Sequence, residues 1–234
     1  MPTWEDLFSE GKLIAHQPQH EVLRFAQRLE SVFPERPLRI WDLCCGAGRH
    51  TKALAAGGYA VFSSDTSPSG IELTRELLSD QELSANLAVS DMTVCPWPNE
   101  QFHGVLSWDS LHHNTIDSIK RSISMVHEQL LPAGHFLLTL ISTKADSFGH
   151  GQEIEPGTYI KDDGPEAGVP HHFFSESEVR GLFRDWDLLV VVEQIMDYRV
   201  RGQGFFENNP FAYTHWDILA RRTGRGVCAN VRTP

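Results

Sequence analysis

The sequence has few of the features that mark nucleic-acid-binding, membrane or secreted proteins. Lys and Arg number 20 against 31 Asp and Glu, the formal net charge is −11, and no run of basic residues is present. Because counterion release from a basic surface supplies much of nucleic-acid affinity, we expect no nucleic-acid partner. No apolar stretch approaches the roughly 18 residues that a membrane helix needs. The first residues also lack a basic segment followed by an apolar run, so we predict a cytoplasmic protein without a signal peptide or membrane contact.

Cysteine is scarce as well, with four residues in 234. Cys44 and Cys45 are adjacent, whereas Cys95 and Cys228 are isolated, which argues against a disulfide framework and against zinc-type spacing. The adjacent pair His112-His113 has no third and fourth ligand nearby in sequence, and adjacent side chains diverge in most backbones. We therefore predict no metal site. A chain of this length with 41% hydrophobic residues suits a single domain.

The most informative stretch runs from residue 38 to residue 49, Leu-Arg-Ile-Trp-Asp-Leu-Cys-Cys-Gly-Ala-Gly-Arg. An apolar run predicts a buried strand, a turn of small residues follows, and a helical pattern then continues to Leu54. Glycines in such a turn let backbone N–H groups approach a ligand, and the following helix directs its positive end there. A strand, a glycine turn and a helix in this order are typical of the nucleotide site of a doubly wound α/β sheet.

The residues around this turn favour a cationic ligand over a dinucleotide. A carboxylate at Asp42 would repel pyrophosphate, and Thr51 stands where the third glycine of Gly-x-Gly-x-x-Gly is required. Asp42, Gly46 and Gly48 resemble motif I of the class I S-adenosylmethionine (SAM)-dependent methyltransferases, Asp-x-Gly-x-Gly-x-Gly. Cys44 replaces the first glycine, and we expect the turn to tolerate its small thiol.

This resemblance implies SAM as cofactor and assigns roles to further residues. Asp65 ends the second predicted strand, about 20 residues beyond the turn, where an acidic side chain accepts both ribose hydroxyls. The family places an acidic residue near the adenine amino group after the third strand, and backbone along the methionine portion after the fourth. For Asp65 and for Asp91 the alternative is a solvated aspartate in a turn. The predicted cofactor-binding residues are Asp42, Cys44, Gly46, Gly48, Asp65, Thr66, Asp91, Met92, Ser107 and Trp108.

Hydrophobic periodicity predicts seven strands that alternate with helices until the final pair. The predicted strands cover residues 38–43, 59–64, 87–90, 102–107, 135–141, 188–195 and 211–221, and the helices 20–32, 49–54, 68–78, 116–130 and 175–186. Residues 199–210 would join the last two strands without a helix, which favours antiparallel pairing. We therefore predict an α/β fold, a doubly wound seven-stranded sheet with helices on both faces and the last strand antiparallel, as in the Rossmann-like methyltransferases that residues 4–222 resemble.

Three regions follow from these assignments. Residues 1–37 form an N-terminal arm and helix that cap the cofactor cleft, although an irregular arm that merely packs on the domain is an equal alternative. Residues 38–222 form the SAM-binding methyltransferase domain, and residues 223–234 form a loose tail.

The long irregular segment between residues 146 and 174 is the predicted acceptor site. It leaves the carboxyl end of the fifth strand, where open α/β sheets bind ligands, so we expect residues 149–174 to form a lid. Tyr159, His171 and His172 are the candidate catalytic residues, since a histidine titrates near neutrality and can accept a proton. The alternative is that His172 and Phe173 pack beside a capping box formed by Ser175 and Glu178.

The predicted function is transfer of a methyl group from SAM to a small-molecule acceptor. The Gly48-Arg49-His50 extension and the segment Gly-Val-Pro-His-His-Phe-Phe resemble the tellurite-resistance and thiopurine methyltransferase groups. A non-catalytic SAM-binding or regulatory protein is the first alternative. A nicotinamide-dependent oxidoreductase is the second, and Asp42 and Thr51 oppose it.

Overall fold

A seven-stranded sheet forms the centre of the computed structural model, which describes residues 3–11, 14–164, 166–196 and 213–224. Its strands are β1 (Arg39–Leu43), β2 (Ala60–Asp65), β3 (Asn86–Val89), β4 (Phe102–Ser107) and β5 (Leu130–Ile141), with β9 (Trp186–Met196) and β10 (Tyr213–Arg222). Three short strands between them, β6 (Gln152–Glu155), β7 (Thr158–Ile160) and β8 (Pro170–His172), form a separate antiparallel sheet.

The strand order in the large sheet is β3-β2-β1-β4-β5-β10-β9. The first five strands pair in parallel, and β10 lies between β5 and β9, antiparallel to both. The predicted doubly wound sheet of seven strands with an antiparallel last strand is therefore confirmed. From β1 the chain adds β2 and β3 on one side of the sheet and β4 and β5 on the other. The strand order therefore reverses between β1 and β4, and open α/β sheets bind ligands at such a reversal.

Within the described ranges, six helices surround the sheet: α1 (Trp4–Ser9), α2 (His20–Val32), α3 (Arg49–Ala56), α4 (Pro68–Ser79), α5 (Ile116–Gln129) and α6 (Glu176–Leu182). Successive side chains of β1 point to opposite faces, as the pleat requires. Ile40 joins the buried cluster that includes residues of α2 and α3, whereas Trp41 joins the cluster that includes residues of α5 and α6. Helices therefore cover both faces of the sheet.

The ends of two helices show how local sequence sets these boundaries. The Ser67 hydroxyl accepts a hydrogen bond from the Gly70 N–H, and Pro68 occupies the first turn of α4, as predicted. The Ser175 hydroxyl likewise accepts from the Glu178 N–H at the start of α6. The Glu178 carboxylate, however, bonds to the imidazole of His172, so only the first half of the predicted capping box forms as expected.

Three predicted boundaries are wrong. The segment 146–174 contains β6, β7 and β8, whose three or four residues are too short to show a period in the sequence. The helix predicted to reach residue 186 ends at Leu182, and β9 begins at Trp186. The fifth strand begins at Leu130 instead of residue 135, since Pro132 and Gly134 lie within an irregular strand start. The predicted connection 199–210, the first residues of the seventh predicted strand, and the tail from residue 225 lie outside the described residues.

In the described part of the chain, no helix combines the length and the apolarity needed to cross a membrane.

Candidate functional site

A cavity of about 830 Å³ opens at the carboxyl ends of β1 to β4. Its volume is within the range of small-molecule sites, and its position is the usual ligand position of an open α/β sheet. The wall is built from Thr3, Trp4, Glu5, Phe8 and residues 14–17 of the arm, residues 44–50, Asp65, Thr66, Asp91, Met92, residues 108–110, His113, Asn114, Glu166 and residues 168–170.

The turn after β1 is held in a left-handed backbone conformation. Cys44, Gly46 and Gly48 have φ values of 62°, 54° and 81°. A Cβ on Gly48 would lie 2.6 Å from side-chain atoms of Thr74, and one on Gly46 would lie 2.9 Å from the ring of Phe8. Glycine is therefore required at both positions, while Cys44 takes the conformation of the glycine it replaces.

Asp65 joins the end of β2 to this turn. Its carboxylate accepts from the Gly46 N–H at 2.8 Å and from the Ser67 N–H at 2.9 Å, and the residue lies in the cavity wall. Burial raises the pKa of this carboxyl against the opposing effect of the two N–H donors. Two carboxylate oxygens offer about four lone pairs, so the carboxylate can accept further hydrogen bonds from a ligand.

Asp42 lies beneath the turn and not in the wall. Its carboxylate accepts from the Thr51 hydroxyl at 2.7 Å, and that hydroxyl lies 2.8 Å from the hydroxyl of Ser63. Burial raises the pKa of Asp42 to about 6. Ser107 is also buried and absent from the wall. Direct ligand contact by these two residues therefore has no geometric support in the structure.

The remaining residues predicted to bind a cofactor border the cavity. Thr66, Asp91, Met92 and Trp108 all lie in the wall, together with Cys44, Gly46, Gly48 and Asp65. The Asp91 carboxylate accepts from the backbone N–H and the hydroxyl of Thr93, at 2.9 and 2.6 Å. The indole N–H of Trp108 is buried and has no hydrogen-bond partner within the described structure.

Acidic side chains dominate the charge of the wall. Among its described residues it contains five carboxylates and one guanidinium, that of Arg49, which lies 3.8 Å from the Asp109 carboxylate. The carboxylates belong to Glu5, Asp65, Asp91, Asp109 and Glu166. Such a wall favours a cationic ligand over a pyrophosphate.

The N-terminal arm closes one side of the cavity. The Glu5 carboxylate accepts from the Ser67 hydroxyl at 2.5 Å and from the N–H and hydroxyl of Ser69 at 3.0 and 2.6 Å. These bonds fix α1 at the N-terminus of α4, and Phe8 covers Gly46. Neither Glu5 nor Phe8 was predicted as a site residue, because a helix of six residues is too short to show hydrophobic periodicity in the sequence.

None of the three candidate catalytic residues lies in the wall itself. The Tyr159 ring packs against Phe148 and Phe173, with ring centroids 5.5 and 5.9 Å apart. His172 is fixed by the Thr158 hydroxyl at 2.6 Å and the Glu178 carboxylate at 3.0 Å. The geometry of Tyr159 and His172 is that of packing residues, the alternative named above for His172.

His171 lies directly behind the wall, in contact with Glu166 and His113, neither of which was predicted as a site residue. Its Nε2 is 3.0 Å from the Glu166 carboxylate, and its ring centroid is 4.7 Å from that of His113. His113 and Glu166 both line the cavity. The His112-His113 pair was visible in the sequence, but the charged stretch around Glu166 gave no spacing that would join it to either histidine. The second half of segment 149–174 thus contributes wall residues, and its action as a lid stays a prediction.

Part of the chain is similar in sequence to known methyltransferases. Residues 40–134 match a family described as methyltransferase domain. An uncharacterized methyltransferase of Synechocystis sp. is 32% identical over 100 residues, which cover 43% of this chain and 45% of the relative. The chain therefore matches less than half the length of this curated relative.

Solved structures show the same fold over most of the chain. A SAM-dependent methyltransferase from Methanosarcina mazei superposes with a TM-score of 0.70 at 18% identity, covering 88% of this chain and 99% of the other. The 1,6-didemethyltoxoflavin-N1-methyltransferase of Burkholderia thailandensis, with bound S-adenosylhomocysteine, has a TM-score of 0.59 at 19% identity, covering 87% and 79%. The fold that the motif I resemblance implies is confirmed by these matches.

Proposed function

We propose that this protein, whose residues 40–134 form a methyltransferase domain and whose fold is that of the class I SAM-dependent methyltransferases, transfers a methyl group from SAM to a small-molecule acceptor. The observation that carries the proposal is the acidic cavity built around the left-handed turn at Gly46 and Gly48. A sulfonium and an ammonium group both suit such a wall.

The wall residues suggest a position for each part of the cofactor. The turn at Gly46 and Gly48 would hold the methionine portion together with Trp108, whose buried indole N–H has no partner in the described residues. Asp65 would accept from the ribose hydroxyls with its remaining lone pairs. Asp91 and Met92 would border the adenine, as the resemblance implies.

The arm, residues 1–37 with α1 and α2, would cap this cofactor cleft. Support comes from the bonds of Glu5 to Ser67 and Ser69, which place α1 across the cavity. A capped site excludes water and fixes the geometry of the reacting groups. SAM supplies a methyl group already activated on a sulfonium, so alignment with the acceptor can provide much of the rate.

The acceptor would enter from the side of His113 and Glu166, where the wall comes from the loop after β4 and the segment before β8. His171 would act through Glu166, which it contacts, whereas Tyr159 and His172 would keep the small sheet in place. The absence of a basic run in the sequence supports a small acceptor over a nucleic acid.

Binding and turnover test this proposal separately. Calorimetry should detect binding of SAM and S-adenosylhomocysteine and no binding of NAD. Asp65→Ala should weaken the binding of SAM, whereas Asp80→Ala, an exposed control at the end of α4, should leave it unchanged. A screen with labelled SAM across thiols, metalloid oxyanions, amines, phenols and carboxylates should then identify a methylated acceptor. NAD binding without SAM binding would refute the proposal, and SAM binding without any turnover would favour the regulatory alternative.

A further inference from the structure

We propose that His113, Glu166 and His171 form a binding site for one divalent transition-metal ion of the zinc, iron or cobalt type, at the acceptor side of the cavity. One ligand atom from each residue lies within 4.8 Å of the other two. Two imidazoles and one carboxylate are the ligand set of several catalytic zinc sites and of non-haem iron sites.

The distances within the cluster are close to those of a loaded site. His171 Nε2 lies 3.0 Å from one Glu166 oxygen, and His113 Nε2 lies 3.7 Å from the other. An ion bound at about 2.1 Å in tetrahedral geometry holds its ligand atoms about 3.4 Å apart. The two imidazole nitrogens are at most 4.8 Å apart, so side-chain movements of about 1–1.5 Å would close the site.

The hydrogen bonds of His171 identify which of its nitrogens is available. Nδ1 lies 2.9 Å from the Val169 carbonyl oxygen, which can only accept, so Nδ1 carries a proton. In the neutral ring, Nε2 then directs a lone pair at a carboxylate oxygen. The contact is favourable only with a cation or a second proton between the two atoms. A ring N–H donated to a backbone carbonyl is also the usual support of a metal-binding histidine.

His113 is suited to the same role. Its Nε2 faces the Glu166 carboxylate, and the residue lines the cavity. Its Nδ1, unlike that of His171, is buried with no hydrogen-bond partner among the described residues. The ring packs against Trp4 of the arm, with centroids 4.9 Å apart.

The position of the cluster leaves coordination positions for a ligand. His113 and Glu166 both line the cavity, and His171 lies behind them. A site with three protein ligands and an open side towards a cavity is typical of catalytic metals. An acceptor hydroxyl or thiol bound there would lose its proton to water more readily, which would prepare it for methyl transfer. That consequence rests on the proposed function, whereas the metal site itself does not.

The competing account is a metal-free pair in which a second proton sits on His171 Nε2 and bonds to Glu166. In that pair His171 would donate from Nε2 to the Glu166 carboxylate, which lies 3.0 Å away. The two accounts predict different behaviour towards metal ions, and that difference provides the test.

Protein freed of metal by chelation should bind one Co²⁺ per chain with a visible ligand-field spectrum, and Zn²⁺ should displace the cobalt. Glu166→Gln keeps the side-chain size, and His171→Ala removes one ligand, so each should weaken Co²⁺ binding at least tenfold. His20→Ala, an exposed histidine at the start of α2, is the matched control and should bind as the wild type does.

S-adenosylhomocysteine calorimetry and circular dichroism on every variant separate lost metal binding from lost folding. Wild-type affinity for Co²⁺ no higher than that of Glu166→Gln would overturn the metal site and leave the protonated pair. Metal binding in a protein that binds no SAM would instead support the site and count against the proposed function.

Discussion

Gly48 and Gly58 offer a matched pair for testing the turn after β1. Both have φ of 81°, so an alanine at either position has the same backbone cost, about 1–2 kcal/mol for a left-handed residue with a Cβ. Their surroundings differ. A Cβ at residue 58 has no atom within 4 Å, whereas a Cβ at residue 48 would lie 2.6 Å from Thr74 Oγ1 and Cγ2.

We therefore expect Gly58→Ala to destabilise the protein by about 1–2 kcal/mol. Gly48→Ala should cost a further 1–3 kcal/mol, roughly, because overpacking displaces the buried Thr74. Thr74 also donates to the Gly46 carbonyl at 3.0 Å, so its displacement moves the turn. S-adenosylhomocysteine binding should weaken at least about tenfold, or 1.4 kcal/mol, in Gly48→Ala only.

Urea denaturation and calorimetry on the two variants measure both quantities. Equal losses of stability and unchanged affinity in both would refute the reasoning, since the turn would then neither resist a Cβ nor contact the ligand. A loss of affinity in Gly58→Ala as large as that in Gly48→Ala would show that the effect comes from general destabilisation.

Other predictions concern carboxylates. Asp65→Ala should weaken cofactor binding by roughly 1.5–3 kcal/mol. It should also destabilise the fold, because two backbone N–H groups lose their acceptor. Asp91→Ala should weaken cofactor binding by less, as calorimetry on both variants can measure. The pKa of Asp42, raised from 3.8 to about 6, means that its ionisation opposes folding as pH rises through this interval. Between about pH 4 and 7 the wild type should lose roughly 2–2.5 kcal/mol of unfolding free energy relative to Asp42→Asn, and parallel pH profiles of the two would contradict this. Glu5→Gln should loosen α1 and speed S-adenosylhomocysteine release in stopped-flow traces, whereas Glu82→Gln, an exposed control, should leave release unchanged.

The central sheet could be predicted well because the sequence patterns that define its strands lie within short stretches of the chain. The apolar runs of β1 to β4, and the cap at Ser67 with Pro68 behind it, set boundaries that the structure reproduces within one or two residues. The antiparallel last strand followed from a connection too short for a crossover. Each of these inferences needed only residues adjacent in the chain.

The candidate site was predicted less completely because tertiary contacts build it. Glu5 reaches Ser67 across 62 positions, and Glu166 meets His113 from the connection between β7 and β8. Neither contact has a spacing that a sequence can display. Asp42 was predicted to bind the cofactor, but its carboxylate is buried beneath the turn, where it accepts from the Thr51 hydroxyl, and it does not line the cavity.

The distribution of tryptophan gives the protein a built-in optical reporter. Of its six tryptophans, Trp4 and Trp108 line the cavity. The other four lie in or against the main core cluster: Trp41, Trp97, Trp186 and Trp216. Ligand entry should therefore change the intrinsic fluorescence of two indoles, while unfolding should change all six. Trp108→Phe and Trp4→Phe would divide the binding signal between the sheet side and the arm side, so that arm closure and ligand contact could be followed separately without an added dye.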